Sequence, residues 1–207
     1  MTITFLIGNG FDLNLNLKTR YLDFYPYFIK KASEDNVIKT WIDGNEKLWS
    51  DLEEKLGLEL SRIEKDNIEK FYDSKEELDT LLLDYLYEEQ IKYNYEQSEI
   101  IKKEFSRSLL QLSKGLTVVE SNSIKETFEV YKDSDHIYKF ITFNYTDILD
   151  NIVNMYDNEK NISSHQGKSS GKKDRIGEVL HIHGTIDREM ILGVNDQEQI
   201  SWSYVKI

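Results

Sequence analysis

The stretch Phe5-Leu-Ile-Gly-Asn-Gly-Phe-Asp-Leu-Asn14 sets two glycines and an asparagine directly behind an apolar run. With Thr2-Ile-Thr before it, the run to Ile7 is β-branched, aromatic and apolar, which predicts a buried strand closed by glycine. A tight turn explains one glycine. Two of them around Asn9, in a chain with only 10 glycines in 207 residues, raise the prospect that something comes close to this backbone. Glycine admits an anion to main-chain N–H groups, and the N-terminus of a following helix adds a favourable dipole. A strand–helix turn with no ligand is the plainer alternative. The dinucleotide fingerprint G-x-G-x-x-G is incomplete because position 13 is Leu. No acidic strand end follows about twenty residues on to hold a ribose, which disfavours a hydride-transferring dehydrogenase.

Outward from this turn the character of the chain changes. From about Thr19 to Tyr131 it is charged, helix-forming and nearly free of Gly and Pro. Pro26, the only proline, is expected to start or kink an early helix. Trp49, Leu52, Leu56, Leu60 and Ile63 recur at helical spacing, as do Leu78, Leu81, Leu82, Tyr85 and Leu86, and then Ile101, Phe105, Leu109, Leu112 and Leu116. Sheet character returns at Ile137-Tyr-Lys-Phe-Ile-Thr-Phe143, and a helix is expected through Ile148, Leu149, Ile152 and Val153. Ser163 to Glu178 reads as a flexible Gly/Ser/Lys-rich loop. Glu178–Ile182 and Met190–Val194 are the third and fourth strand candidates. Strands separated by helices predict an α/β, Rossmann-like parallel sheet with a large helical insertion after the first strand-turn-helix unit. The expected division is an α/β nucleotide-binding core over 1–18 and 136–207, with an inserted acidic helical subdomain over 19–135.

Composition removes several function classes. A net charge of −12 argues against duplex nucleic acid as a partner; Lys168, Lys172, Lys173 and Arg175 form the one obvious basic patch. The absence of cysteine excludes disulfides, zinc–thiolate sites, iron–sulfur clusters and a Cys nucleophile. Met1–Leu6 has no basic leader, and no apolar run is long enough to span a bilayer, so a soluble cytoplasmic protein without a membrane partner is expected. "GKSSGKK" from Gly167 is not a P-loop, since only three residues separate its glycines, no Ser or Thr follows the lysine after its second glycine and no apolar strand precedes it.

Each of three apolar runs ends on residues suited to chemistry. Ile7 precedes Gly8-Asn9-Gly10-Phe11-Asp12, Phe143 precedes Asn144-Tyr145-Thr146-Asp147, and Ile182 precedes His183-Gly184-Thr185. In an open parallel sheet, ligands bind beyond the carboxyl ends of the strands, so parallel pairing would turn all three clusters toward one crevice. Asn144 ends a buried strand with an amide that needs partners. Thr146 or Asp147 could instead be a helix N-cap. His181 and His183 alternate along a strand and are expected on one face; His183, beside a glycine, suits a base that takes a proton from water or a hydroxyl. A metal site on this pair with Asp187 or Asp196 is the rival, and a structural histidine the plain reading, more so for His181. No metal is expected.

Taken together, "LIGNGFDLN", "WSDLEE" at Trp49, "TFNYTD", "HIHG" and "ILGVND" resemble the AbiH family of bacteriophage abortive infection proteins. Family members continue beyond the point where this chain stops, at Ile207, so a short or shortened member is expected. Asn14-Leu-Asn-Leu-Lys-Thr19 departs from the family's usual His-Gly-Leu-Pro-Thr-Ser stretch. More distantly, the chain is similar to the sirtuin-like fold of NAD-consuming antiphage proteins. By that resemblance Gly8, Asn9 and Gly10 would meet the phosphates of NAD, with Phe11 and Asp12 completing the binding set. Asn144 would hold the nicotinamide ribose, His183 would be the base, and Asp147, offset by one residue from the family position, the third catalytic group. Without cysteine the zinc module of sirtuin deacylases cannot form, so an acyl-lysine substrate is not expected.

The resulting expectation is an antiphage protein that binds NAD or a related nucleotide and hydrolyses it as an NAD glycohydrolase. The alternatives are a non-catalytic nucleotide sensor of a defence system and a metal-dependent hydrolase or nuclease built on His181 and His183. Expected partners are a nucleotide, and a second copy of the chain or another defence protein. Trp49 and Glu53 either cover the site or pack the helical block.

Overall fold

The computed structural model describes residues 1–43, 52–96, 98–156, 161–163, 174–188 and 190–192. The chain divides into two compact units: Met1–Gly8, Asn94–Phe143 and Asp147–Ile182 form the first, and Asn9–Tyr93, Asn144–Thr146 and His183–Ile207 the second.

The first unit holds the sheet. Strands β1 (Thr2–Ile7), β2 (His136–Thr142), β3 (Asn161–Ser163) and β4 (Asp174–His181) lie in the order β1-β2-β4-β3. β1, β2 and β4 run parallel and β3 pairs antiparallel to β4, so the expected α/β class with a parallel sheet is present. Ile7 lies opposite Thr142, and Thr142 opposite His181, which brings the three carboxyl ends level. Two bonds just past those ends, Phe143 N–H to Ile7 O (3.0 Å) and Ile182 N–H to Thr142 O (3.0 Å), extend the pairing by one residue. Alternation along β2 buries His136, Tyr138, Phe140 and Thr142. Helix α8 (Ile148–Asn154) buries Ile148, Leu149, Ile152 and Val153 and packs on β4 and on α6 (Ser98–Leu110). Phe105 of α6 lies 5.7 Å from the Phe140 ring, and the Tyr156 hydroxyl donates to Lys102 O at 2.8 Å. Helix α7 (Val118–Val130) begins with a capping box in which Thr117 and Glu120 satisfy each other's backbone N–H.

The second unit is helical apart from its short connecting pieces. It contains α1 (Gly10–Asn14), α2 (Tyr21–Lys31), α3 (Val37–Ile42), α4 (Leu52–Arg62), a 3-10 turn at Lys65–Asn67 and α5 (Ile68–Gln90). The apolar stripe of α5, with Phe71, Leu78, Leu82, Tyr85 and Leu86 buried, recurs every three or four residues and so forms one face. α2 and α3 pack on α5. Phe24, Phe28, Ile38, Ile42, Leu52 and Leu56 join the same core, as do Ile186 and Leu192.

Several expectations are corrected. β1 is an edge strand with alternating burial, and Leu6 is 71% exposed; an unbroken apolar run does not by itself distinguish a two-sided from a one-sided strand. Of the two readings of Pro26, a helix start or a kink, the start is set aside, because Pro26 lies inside α2. The third helix ends at Leu110, leaving Leu112 and Leu116 in turns before Gly115 at φ +90° and beyond it. β4 starts at Asp174, inside the stretch read as loop, and β3 was not expected. Residues 190–192 form no strand, while Gly193, Val194, Asp196, Trp49, Lys168, Lys172 and Lys173, the "GKSSGKK" stretch apart from its neighbours, and the side chain of Glu53 lie outside what is described.

Candidate functional site

The turn after β1 is shaped by hydrogen bonds rather than by glycine conformation. Asn9 occupies the N-cap position of α1, yet its side chain accepts from the Thr19 hydroxyl instead of capping. Asn16, at φ 64°, reverses the chain after α1. Lys18 is then fixed from both sides: its N–H donates to Glu89 Oε2 at 3.2 Å, and its carbonyl accepts from the Tyr85 hydroxyl at 2.8 Å. Burial, with Glu89 nearby, pushes the Tyr85 hydroxyl well above the ordinary phenol range and keeps it a neutral donor. Gly8 and Gly10 both have φ outside the left-handed region, which among the described glycines is occupied by Gly115 and Gly184. A Cβ placed on either would meet no atom within 4 Å. Neither glycine is therefore demanded by the fold. The helix they introduce has five residues, too few aligned peptides for the strong N-terminal dipole expected of it.

In the second unit, Asp12 is 1% exposed. Its Oδ1 accepts from Asn144 Nδ2 at 3.0 Å and its Oδ2 from Thr146 Oγ1 at 2.8 Å. Residues 132 and 134 positions apart thus share one buried carboxylate. A carboxylate only accepts, so this contact also establishes which end of the Asn144 amide is nitrogen. Phe11, beside Asp12 in α1, is half-buried.

His183 lies in the same unit. Its Nδ1 is 3.5 Å from the Tyr145 hydroxyl, and the two rings are tilted at 58° with centroids 6.0 Å apart. The Tyr145 hydroxyl also lies 3.2 Å from Ile191 O. Two backbone bonds hold this arrangement: Ile191 N–H to His183 O at 2.8 Å and Ile186 N–H to Tyr145 O at 2.9 Å. Gly184 takes φ +73°, a conformation that L side chains resist. Thr185 follows it, 4% exposed, and its hydroxyl has no hydrogen-bond partner among the described residues.

Asp147 and His181 belong to the first unit. Asp147 stands at the N-cap of α8, but its side chain makes no capping bond. Its carboxylate, that of Asp150 and the His181 ring offer ligand atoms within 4.8 Å of one another, a group able to hold a metal ion. His181 Nε2 is 2.6 Å from Asp150 Oδ2. β4 ends at His181 and the backbone bends at Ile182 and His183, while burial still alternates, with both histidines half-buried and Ile182 exposed. Neither His183 nor Asp187 belongs to the metal-capable group.

Of the residues singled out from sequence, Asn9, Gly10, Phe11, Asp12, Asn144 and His183 fall in the second unit, and Gly8 and Asp147 in the first. The structure joins Asp12 to Asn144 directly and ties His183 to the residue that follows Asn144. Sequence reasoning gave no role to Tyr145, Asp150 or Thr185, and read Thr146 only as a cap. The spacing of Asp147 and Asp150, one helical turn apart, was the usable signal for Asp150.

Level parallel strands, with helices between them and polar residues following their carboxyl ends, define an α/β protein. The chain belongs to the AbiH family: the family model described as Bacteriophage abortive infection AbiH matches residues 4–206. No curated protein and no solved structure matches it. No helix among the described residues is long and apolar enough to cross a membrane.

Proposed function

We propose that this AbiH-family antiphage protein binds NAD or a related nucleotide and hydrolyses the bond between nicotinamide and ribose. The observation that carries the reading is the bare backbone at Gly8 and Gly10. Among the described residues, neither glycine has a conformational or packing reason to lack a side chain. What remains is the approach of an external group, and a phosphate is the group such main-chain N–H donors suit. The defence role follows from the family; the NAD chemistry follows from the sirtuin-like resemblance together with the open turn.

In this reading Asn9 and Gly10 meet phosphate oxygens, and Asn144, oriented by Asp12, holds the nicotinamide ribose. His183 takes a proton from water as the water oxygen bonds to the anomeric carbon. The carbon–nitrogen bond breaks, its electron pair leaves with the nicotinamide nitrogen, and the products are ADP-ribose and nicotinamide. The transition state carries oxocarbenium character, which oriented amide dipoles stabilise. General-base assistance of this kind is typically worth about two to four powers of ten in rate.

The test separates the site from the fold. Purified protein incubated with NAD should release nicotinamide, and His183→Ala should abolish release. Gly10→Ala should weaken nucleotide binding while leaving the urea midpoint unchanged or raised, because alanine in a helix is favoured over glycine by roughly 0.5–1 kcal/mol. Absence of both binding and release, with phage lysate present, removes the proposal. So does a Gly10→Ala protein that binds as tightly as the parent.

A further inference from the structure

We infer that Asp147, Asp150 and His181 form a binding site for one divalent transition-metal cation, with zinc preferred over manganese. The site lies within the first unit and stands apart from the nucleotide reading. It gives Asp147 a role other than the catalytic one that the sirtuin-like resemblance implies, and departs from the expectation that no metal is bound.

Topology brings the three residues together. Thr142, the last residue of β2, lies opposite His181, the last residue of β4. Beyond β2 the chain starts α8 at Ile148, and α8 packs on β4. Asp147 at the N-cap and Asp150 in the first turn are one helical turn apart, so their side chains fall on one face. Each of the three residues offers one ligand atom, and these atoms all lie within 4.8 Å of one another. The side chains of His181 and Asp150 are 10% and 33% exposed. Partial burial of this kind holds the ligands in place while leaving an ion a way in.

The donor set selects the kind of ion. His181 Nε2 and Asp150 Oδ2 are 2.6 Å apart, and a ring nitrogen and a carboxylate oxygen come that close by sharing a proton. A divalent cation can replace that proton and meet both lone pairs. Donors at about 2.0–2.2 Å from a tetrahedral zinc lie about 3.3–3.6 Å from one another, so opening this pair and drawing in Asp147 take movements of roughly 1 Å. Side-chain rotation supplies that much. An imidazole nitrogen suits zinc, whereas magnesium keeps its waters and takes oxygen ligands. For the same donors, affinity rises along the first row from manganese to zinc. Hydrogen bonds made by a ligand's other ring nitrogen or other carboxylate oxygen orient it toward the ion and do not compete with coordination. Three protein ligands leave a tetrahedral ion one position for water.

The test uses the full chain, treated with a chelator and dialysed, and needs no nucleotide. Titration calorimetry with zinc chloride should show one site per chain, manganese should bind there more weakly, and magnesium in excess should not compete. Asp147→Asn and Asp150→Asn keep the shape and remove the charge, and His181→Gln removes the ring. Each should weaken zinc binding by more than the roughly 10- to 100-fold lost when a group hydrogen-bonded behind a ligand is removed. His183→Ala should bind zinc like the wild type, which separates this set from the two histidines that sequence spacing suggested. In protein labelled with 15N-histidine, zinc should move the ring signals of one of the four histidines, the one whose signals are missing from His181→Gln. Urea unfolding with chelator present shows which variants fold; one that does not is set aside and the others decide. Absence of zinc binding at millimolar concentration overturns the inference. So does wild-type affinity in any folded variant of the three, an equal loss in His183→Ala, or magnesium competing as well as manganese.

Discussion

Removing the Asp12 carboxylate should destabilise the second unit by about 3–5 kcal/mol. Asp12 is 1% exposed and accepts from Asn144 Nδ2 and Thr146 Oγ1. Asp12→Ala leaves both donors buried without that acceptor. Hydrogen bonds to a charged group contribute about 1.5–3 kcal/mol each, and two that share one acceptor do not add fully. Asp12→Asn keeps the shape. Its oxygen can still accept from Asn144, and its new amide can donate to Thr146 if that hydroxyl rotates to accept. Only the charge-assisted part is lost, about 1–2 kcal/mol. Thr146→Val, which removes one donor to the carboxylate, should cost roughly 1–3 kcal/mol.

The main-chain bonds from Leu15 N–H and Leu17 N–H to Asp12 O, at 3.0 and 3.1 Å, are common to every variant, so the series isolates the side chain. Urea unfolding gives the free energies, and hydrogen exchange at the α1 amides locates the loss in the second unit. The ranking is the sensitive part: Ala worst, Val intermediate, Asn mildest. An Asp12→Ala protein within 1 kcal/mol of wild type would refute the buried acceptor. An Asp12→Asn protein as weak as Asp12→Ala would refute the geometry of the two donors.

Two further outcomes are expected, one in each unit. His136 Nδ1 faces Asp174 Oδ1 at 2.9 Å and Nε2 faces Tyr131 O at 3.2 Å, with the pair 2% and 1% exposed. His136→Ala should cost about 3–5 kcal/mol in urea unfolding by removing a buried partner of the Asp174 carboxylate, and the double change to leucine should recover most of it. Glu77 accepts from Ser33 N–H, Ser33 Oγ and Asn36 Nδ2 at 2.7–2.8 Å; burial opposes ionisation, yet these bonds outweigh it and hold the carboxyl below its ordinary 4.5. Its contribution is present above that value and lost as pH falls through the lowered one, so Glu77→Gln should be less stable at neutral pH and lose less on acidification; parallel pH–stability curves would contradict this.

The sheet was legible wherever side chains carry a strong signal. Thr2–Ile7 and Ile137–Phe143 announce β1 and β2 through β-branched and aromatic residues, and the second was placed within one residue of His136–Thr142. β3 has three residues, Asn-Ile-Ser, and is held by pairing with β4; nothing local in its sequence favours a strand. α5 was legible in the apolar stripe around Leu78–Leu86. The limit of α6 was not, because Leu112 and Leu116 prolong the helical spacing past the point where Gly115 adopts φ +90°. α7 had a readable start at Thr117-Val-Val-Glu120, a capping box whose donors and acceptors are all local.

The candidate site divides along a different line, between residues whose partners are near in sequence and residues whose partners are remote. Asn144 was singled out because an amide at a strand end needs partners. That its partner is Asp12 could not be read, since the two lie 132 positions apart. Thr146 illustrates the same limit from the other side: a hydroxyl just before a helix fits a cap locally, and tertiary structure gives its proton to Asp12 instead. The histidines show a third limit. Burial alternates through His181, Ile182 and His183 as a strand pattern would have it, and Ile182 N–H to Thr142 O is the last ladder bond. The partners of the two rings could not be read from that pattern: Asp150 for His181, and the Tyr145 hydroxyl beside His183. One strand end thus leads into two histidines with unlike partners, a carboxylate 31 positions away for His181 and a phenol 38 positions away for His183, and sequence separations of that size are what local pattern cannot bridge.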